Sequence, residues 1–224
     1  MLADAPDAVV VSQDLHLLLS ELAALLQNRL AIVSGRAISV LRELGVGDFT
    51  LVGSHGLEIA MANSPIERAD RPEALDTVIS ALEKFAATRA GILVERKPLS
   101  VGLHYRLGPQ YEGECRTITE TLASEHDLFV QKGKMLFEIR PKHGDKGQGI
   151  RELMTRRQFS GARPMFIGDD VTDENGFEAV LSLGGDAILV GEPRASAAQF
   201  LLAGPAEVVN WLDMARHRMK KAKV

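Results

Sequence analysis

The sequence predicts an α/β protein: a parallel sheet covered by helices, interrupted by an inserted α+β domain. Three observations predict it. Apolar segments of helical period alternate with short strand-like runs in the first 56 residues, and again from residue 142. Between them lies a block of different rhythm, in which two helical segments stand among strands joined by short turns, as an antiparallel sheet requires. The block is flanked by glycine-bearing stretches, Gly53-Ser54-His55-Gly56 going out and Pro141-Lys142-His143-Gly144 coming back, which read as hinges. The expected division is 1–56 and 142–224 for the core and 57–141 for the insertion.

Each element has its own signal. Leu15, Leu18, Leu19, Leu22, Leu25 and Leu26 recur at helical spacing over 13–28. The run "RLAIVSGR" is a strand ending in Ser-Gly, a short helix follows near 37–44, and "FTLVG" is the next strand. "LEIAM" reads as the first strand of the insertion. Leu75, Val78, Ile79, Leu82, Phe85 and Ala86 share one face of a helix over 72–90. "ILVERK" and "SVGLHYR" are strands around a turn at Pro98, and Tyr111, Cys115, Ile118 and Leu122 mark a helix over 109–125. "LFVQ" and "KMLFEIRP" form a hairpin about Lys132-Gly133. A helix over 146–156, the strand "PMFIG", a helix from about residue 173 and the strand "AILVG" then resume the first pattern. Gly204-Pro205 opens the last helix, proline being suited to a first turn.

Composition bounds the function. The 224 residues are 46% hydrophobic, enough for a sizeable core, and the net charge of −4 argues against a nucleic-acid binder. A single cysteine, Cys115, allows no internal disulfide and reads as a small core residue. No run reaches the roughly 18 apolar residues of a membrane span. Asp4 and Asp7 stand where a signal peptide would be basic, so the expectation is a cytoplasmic protein without membrane attachment. The basic end "RHRMKKAKV" reads as a solvated chain end.

Three features fall where parallel-sheet proteins bind ligands, beyond the C-terminal ends of the strands. The first is "GDDVTDE", residues 168–174. Asp169 ends a strand, Asp170 follows, and Asp173 lies four residues on at a helix start; such clustered oxygens suit a hard cation, Mg²⁺ above all. Helix capping by Thr172 would account for Asp173 and Glu174, but not for Asp169-Asp170. The second is Ser34-Gly35-Arg36, a strand end offering a hydroxyl and backbone N–H groups to an anion, or simply a turn. The third is Lys146 in "GDKGQG", able to reach an anion between glycines, or else a solvated charge. Together they make the equipment of phosphoryl transfer.

The strings "IVSGR", "DKGQGI" and "GDDVTDE" resemble, in order and spacing, the second, third and fourth motifs of the haloacid dehalogenase superfamily. Within it, "LVGSHGLEI", "VERKPLSVGLHYR", "KGKMLFEIRPKHGDKG", "FIGDDVTDENGF" and "VVNWL" resemble the trehalose-6-phosphate phosphatase family over nearly the whole chain. The resemblance implies a Rossmannoid core with an inserted cap domain and Mg²⁺-dependent hydrolysis of a sugar phosphate through an aspartyl-phosphate. It implies that Ser34 holds a phosphoryl oxygen with the Gly35 N–H, and that Lys146 pairs with the phosphate. It implies Asp169 as metal ligand, with Asp173 assisting and Asp170 behind. In the cap it implies Lys97 and Glu138 at the sugar, with Lys134 and His104 as further candidates and a trehalose-phosphate synthase as a candidate partner. His104 alternates with apolar residues on its strand and also reads as structural.

The family's first motif, Asp-x-Asp-Gly-Thr on the central strand, has no matching string in this sequence. Its aspartates are the nucleophile and the acid–base group. The chain is therefore expected to lack its first central strand, to be inactive as written, and to be preceded by an in-frame segment of about 12–25 residues, one strand and turn. Two other readings follow: a catalytically dead module binding a sugar phosphate or a partner, and a phosphatase of another sugar phosphate such as sucrose 6-phosphate.

Overall fold

The computed structural model describes residues 10–222, so Asp4 and Asp7 lie outside the described residues. The chain divides into two compact units, one formed by the residues up to Arg68 together with those from Gly144, the other by Ala69–His143.

In the first unit, α1 (Gln13–Leu25) is capped by Ser12, whose hydroxyl accepts the Leu15 N–H at 3.3 Å, and buries Leu18, Leu22 and Ala23. The chain then turns through Gln27 and Asn28, both at positive φ. Strands β1 (Ala31–Val33) and β2 (Thr50–Gly53) run parallel, with α2 (Ile38–Glu43) between them. Next, β3 (Glu58–Ala60) returns antiparallel along β2, and β4 (Glu67–Arg68) pairs with β3.

The run expected to open the insertion is thus a strand of the core sheet, in the order β1-β2-β3-β4. The boundary expected at residue 57 falls instead after Arg68. The reason is local. A tight turn over Ser54–Gly56 sends the chain straight back, which places Ile59 opposite Val52 and buries both. The glycine-bearing "GSHG" is therefore internal to the first unit rather than a joint between units.

The second half of this unit follows the expected order. It comprises α5 (Lys146–Thr155), β9 (Met165–Gly168), a single 3₁₀ turn (Val171–Asp173), α6 (Glu174–Ser182) and β10 (Asp186–Val190). A strand not anticipated, β11 (Phe200–Leu202), pairs parallel with β10 before α7 (Pro205–Ala222). Phe200 and Leu201 are both exposed, so the run has no alternation to announce it. The second sheet is β11-β10-β9, all parallel. Among the described residues the core strands therefore form two sheets, and β1 and β9 are each paired on one side only. Val33 of β1 packs against the Phe166, Phe177, Leu189 cluster and also against the Val52, Leu153, Phe159 cluster.

The second unit contains α3 (Leu75–Ala87), β5 (Leu93–Arg96), β6 (Val101–His104), α4 (Glu112–Glu125), β7 (Leu128–Gly133) and β8 (Leu136–Pro141). Its sheet runs β5-β6-β8-β7, antiparallel throughout. The hairpin turns at Lys134-Met135, with Met135 at φ 60°; Lys132 and Gly133, expected in the turn, belong to the strand. Leu75, Val78 and Leu82 of α3, Cys115 and Leu122 of α4, and Val101, Leu103, Phe137 and Ile139 of the sheet form its core. Burial pushes the Cys115 thiol pKa up, which keeps it an inert core residue. Among the described residues no helix is long and apolar enough to cross a membrane.

Candidate phosphate and metal site

The first candidate group lies just beyond β1. The Ser34 N–H donates to the Val52 carbonyl at 2.8 Å, carrying the ladder one residue past the strand. The Arg36 N–H then donates back to Ser34 Oγ at 3.1 Å, which bends the chain and leaves the hydroxyl proton available to a ligand. The Gly35 N–H forms no hydrogen bond among the described residues. The first N–H of α2, on Ile38, donates to Glu58 Oε2 at 2.8 Å. Glu58 is completely buried and also accepts from Ser54 Oγ at 3.0 Å and Arg68 Nε at 2.7 Å.

The second group starts α5. Asp145 caps the helix, accepting the Gln148 N–H at 2.8 Å, and Lys146 is its first residue. Lys146 is not the solvated charge its spacing would allow. It is buried, and its Nζ donates to Asp173 Oδ1 at 2.6 Å. The glycines beside it serve close backbone packing. A Cβ at Gly147 would stand 2.2 Å from the Asn175 carbonyl oxygen, and one at Gly149 would stand 2.7 Å from the Gly56 Cα.

The four carboxylates of "GDDVTDE" now separate into four roles. Asp173 Oδ2 accepts the N–H groups of Asp169 and Asp170 at 3.0 and 2.9 Å, while Oδ1 holds Lys146. Asp170 is the cap of the turn, accepting the Val171 N–H at 2.6 Å, with Asp173 completing a capping box. The cap is thus Asp170 and not Thr172. Glu174 points elsewhere: it pairs with Arg194 and accepts from Ala197 N–H at 2.8 Å and Ser196 Oγ at 3.1 Å. That leaves Asp169, exposed at the end of β9, with a carboxylate that no described residue engages.

The set Asp169, Asp170 and Asp173 therefore does not converge as three open ligands, and among the described residues no three carboxylates or imidazoles form a metal cage. Asp173 is an anchor for Lys146 and for the turn. A hard cation that keeps several waters needs only one or two protein carboxylates. Asp169, with Asp170 beside it, meets that need.

Burial alone would push the Glu174 pKa up. Hydrogen bonds from Ala197, Arg194 and Ser196 outweigh it and hold the group below its ordinary value. A depressed carboxylate pKa contributes stability above the ordinary Glu range, which is lost as pH falls through the folded-state value. Glu174→Gln should therefore cost about 1.5–3 kcal/mol at neutral pH, the worth of charge-assisted hydrogen bonds. The difference from wild type should shrink in acid, as urea unfolding at pH 7 and pH 3.5 will show.

The second unit carries its own polar row. Glu95, Gly102, Glu138 and Gln131 stand opposite one another across β5, β6, β8 and β7, alternating with the buried Phe137 and Ile139. Lys97 Nζ donates to Glu138 Oε2 at 2.7 Å and lies 3.8 Å from Glu95 Oε2. Ser100 Oγ donates to Glu138 Oε1 at 2.5 Å, and His104 Nε2 meets Glu95 Oε2 at 2.8 Å. Lys97 and Glu138 are thus brought together as expected, whereas Lys134, exposed at the hairpin tip, stands outside their hydrogen-bond network.

The sequence model of the family described as trehalose-phosphatase matches residues 1–202. The chain belongs to the trehalose-phosphatase family. It is 35% identical over 212 residues to the trehalose-6-phosphate phosphatase of Escherichia coli K12, covering 93% of this chain and 79% of that protein. It is 35% identical over 195 residues to the probable trehalose-phosphate phosphatase of Sinorhizobium fredii, covering 86% and 74%. Among solved structures, a trehalose-6-phosphate phosphatase related protein superposes with a TM-score of 0.81 at 24% identity, covering 99% of this chain and 94% of that one. The C-terminal domain of the C. albicans trehalose-6-phosphate phosphatase superposes with a TM-score of 0.80 at 22% identity, covering 97% and 88%. These two likenesses establish the fold.

As a trehalose-phosphatase family member, the chain has the α/β architecture and the phosphatase class expected of it. Two of its site residues escaped the sequence reading. Glu95 lies on β5 and Lys97 one residue past its end, and a period of two carried across that end would have placed both on one face. His55 lay in plain view within "LVGSHGLEI", but nothing in the sequence tells which backbone its ring covers.

Proposed function

We propose that this chain carries the phosphate and sugar recognition parts of a Mg²⁺-dependent phosphatase that hydrolyses trehalose 6-phosphate to trehalose and inorganic phosphate. One observation carries the reading. An unbroken series of contacts along the first unit joins the Ser34-Gly35 loop, His55, Gly56, the start of α5, Lys146, Asp173 and the Asp169 turn. Ser34 Oγ and the Gly35 N–H would hold phosphoryl oxygens as preorganised donors. Lys146, oriented by Asp173, would supply the positive charge. Asp169, with Asp170 beside it, would hold Mg²⁺, which when bound neutralises charge on the phosphoryl oxygens. Lys97, Glu138 and Glu95 would take sugar hydroxyls.

The aspartyl-phosphate route needs a nucleophile and an acid–base group from an Asp-x-Asp-Gly-Thr string, which this sequence does not contain. Groups that act as a unit fail as a unit. The 224-residue chain should therefore release no phosphate above background from trehalose 6-phosphate with Mg²⁺, and a chain carrying that string on an added N-terminal strand should turn over. Phosphate release from trehalose 6-phosphate and sucrose 6-phosphate by both chains is the test. Turnover by the chain as written would sink the inactivity reading. A second reading is a silent sugar-phosphate-binding module. A silent extended chain that still binds trehalose 6-phosphate would select it, and preference for sucrose 6-phosphate would replace the substrate.

A further inference from the structure

The motif Ser54-His55-Gly56-Leu57-Glu58 is explained neither by the anion loop nor by the metal turn, yet every residue in it is constrained. Ser54, His55 and Gly56 stand at φ 49°, 56° and 95°, the longest run of positive φ among the described residues. Left-handed backbone is unfavourable for serine and histidine, and it persists only where surrounding structure holds it. Here it is held from several sides. Ser54 N–H donates to the Arg36 carbonyl at 2.8 Å and His55 N–H to the Ser34 carbonyl at 3.2 Å. The buried Glu58 carboxylate accepts Ser54 Oγ and the Ile38 N–H, and Arg68 pins its other oxygen. Leu57, also buried, lies so close to Gly144 that a Cβ there would stand 2.4 Å from its Cδ2.

The turn touches both halves of the phosphate site. On one side, the His55 ring lies against Gly35: a Cβ there would stand 2.5 Å from the ring Cε1 and 2.6 Å from Nε2. On the other side, a Cβ at Gly56 would stand 2.3 Å from the Asp145 carbonyl oxygen, at the cap of the helix that begins with Lys146. Glycine or asparagine would make the same turn with less strain. What the strained backbone retains is therefore the ring.

We propose that His55 is a positioning residue for the anion loop. Its imidazole packs on Gly35 and fixes that peptide, so that the unbonded Gly35 N–H stays available to a phosphoryl oxygen. The same turn sets the start of α5, and with it Lys146. This rests on the reading of Ser34-Gly35 as a phosphate loop.

The test is a titration of the full chain with inorganic phosphate, followed by the backbone amide shifts of Gly35 and Lys146. His55→Gly removes the ring and relieves the left-handed strain, so the fold survives; His55→Asn is the second variant, since asparagine tolerates this backbone. Both should unfold near the wild-type midpoint and bind phosphate about 10-fold more weakly, a single order of magnitude in affinity. Gly35→Ala should weaken binding by about 10-fold or more in wild type, where its Cβ meets the ring. In the His55→Gly background it should add less than about 2-fold, a coupling expected if the two act through their contact, while phosphate binding weakened at an unchanged unfolding midpoint is what a merely structural role would not produce.

Wild-type affinity in His55→Gly would overturn the proposal. So would equal damage from Gly35→Ala with and without the ring, or a wild-type Gly35 amide that ignores phosphate. Absence of sugar-phosphate turnover by the extended chain, with phosphate binding and its coupling intact, counts against the trehalose 6-phosphate reading and for the loop.

Discussion

Replacing Asp173 by alanine should destabilise the protein by about 3–5 kcal/mol at neutral pH, because it leaves a buried charge without its partner. Lys146 is buried, and its ammonium donates to Asp173 Oδ1 at 2.6 Å. The other oxygen holds the turn after β9 through the N–H groups of Asp169 and Asp170. Alanine removes both functions at once. Asp173→Asn separates them: its amide oxygen can still accept the two N–H groups, but the charge is gone, so a smaller loss of about 1.5–3 kcal/mol is expected. Lys146→Met in the Asp173→Ala background should recover part of the loss, since the stranded ammonium is then absent. Urea unfolding of the four proteins checks this. A loss under about 1 kcal/mol for Asp173→Ala would mean that Lys146 finds solvent or another acceptor, and that the pair does not hold it.

That result also bears on what the sequence could and could not reveal. The leucine spacing of α1, the apolar runs of β2 and β9, and the proline opening α7 were all legible, because helical and strand periods are written in the chain itself. So was the placing of Ser34, Gly35, Lys146 and Asp169 at strand and helix ends. What a carboxylate binds was not legible. Asp169, Asp170 and Asp173 of "GDDVTDE" read as one metal cluster, because sequence spacing gives proximity and not partners. The Val171 N–H claims Asp170, the N–H groups of Asp169 and Asp170 together with Lys146 claim Asp173, and Arg194 claims Glu174; each of these contacts depends on backbone conformation or on a residue 20 or more positions away. The boundary at residue 57 was misplaced for a similar reason. A glycine-bearing stretch signals a change of direction, and only strand pairing shows that β3 returns along β2.

Glu58 is the other residue whose loss should be felt most. Glu58→Ala should destabilise by about 3–5 kcal/mol, the range for breaking a buried charged pair. Three donors lose their acceptor together: the Ile38 N–H at the start of α2, the Ser54 hydroxyl and the Arg68 guanidinium. Arg68 keeps a half-exposed side chain and can turn to water. Ile38, fully buried, cannot. The loss should therefore come mostly from the backbone donor and from the left-handed Ser54, which the carboxylate holds in place. Glu58→Gln distinguishes charge from acceptor. It keeps an oxygen for Ile38 and should cost about 1.5–3 kcal/mol, with most of the deficit traceable to Arg68. Arg68→Ala should then cost much less in the Glu58→Ala background than with the wild-type carboxylate present, and that non-additivity measures the pair. Hydrogen exchange at Ile38 provides the local readout. Its N–H should exchange faster in Glu58→Ala than in Glu58→Gln, and equal rates would show that the helix start holds without this acceptor. Because Glu58 fixes α2 and the Ser54 turn with one carboxylate oxygen, a loosened Ile38 should be accompanied by weaker phosphate shifts at Gly35, even though Glu58 itself is buried away from any ligand.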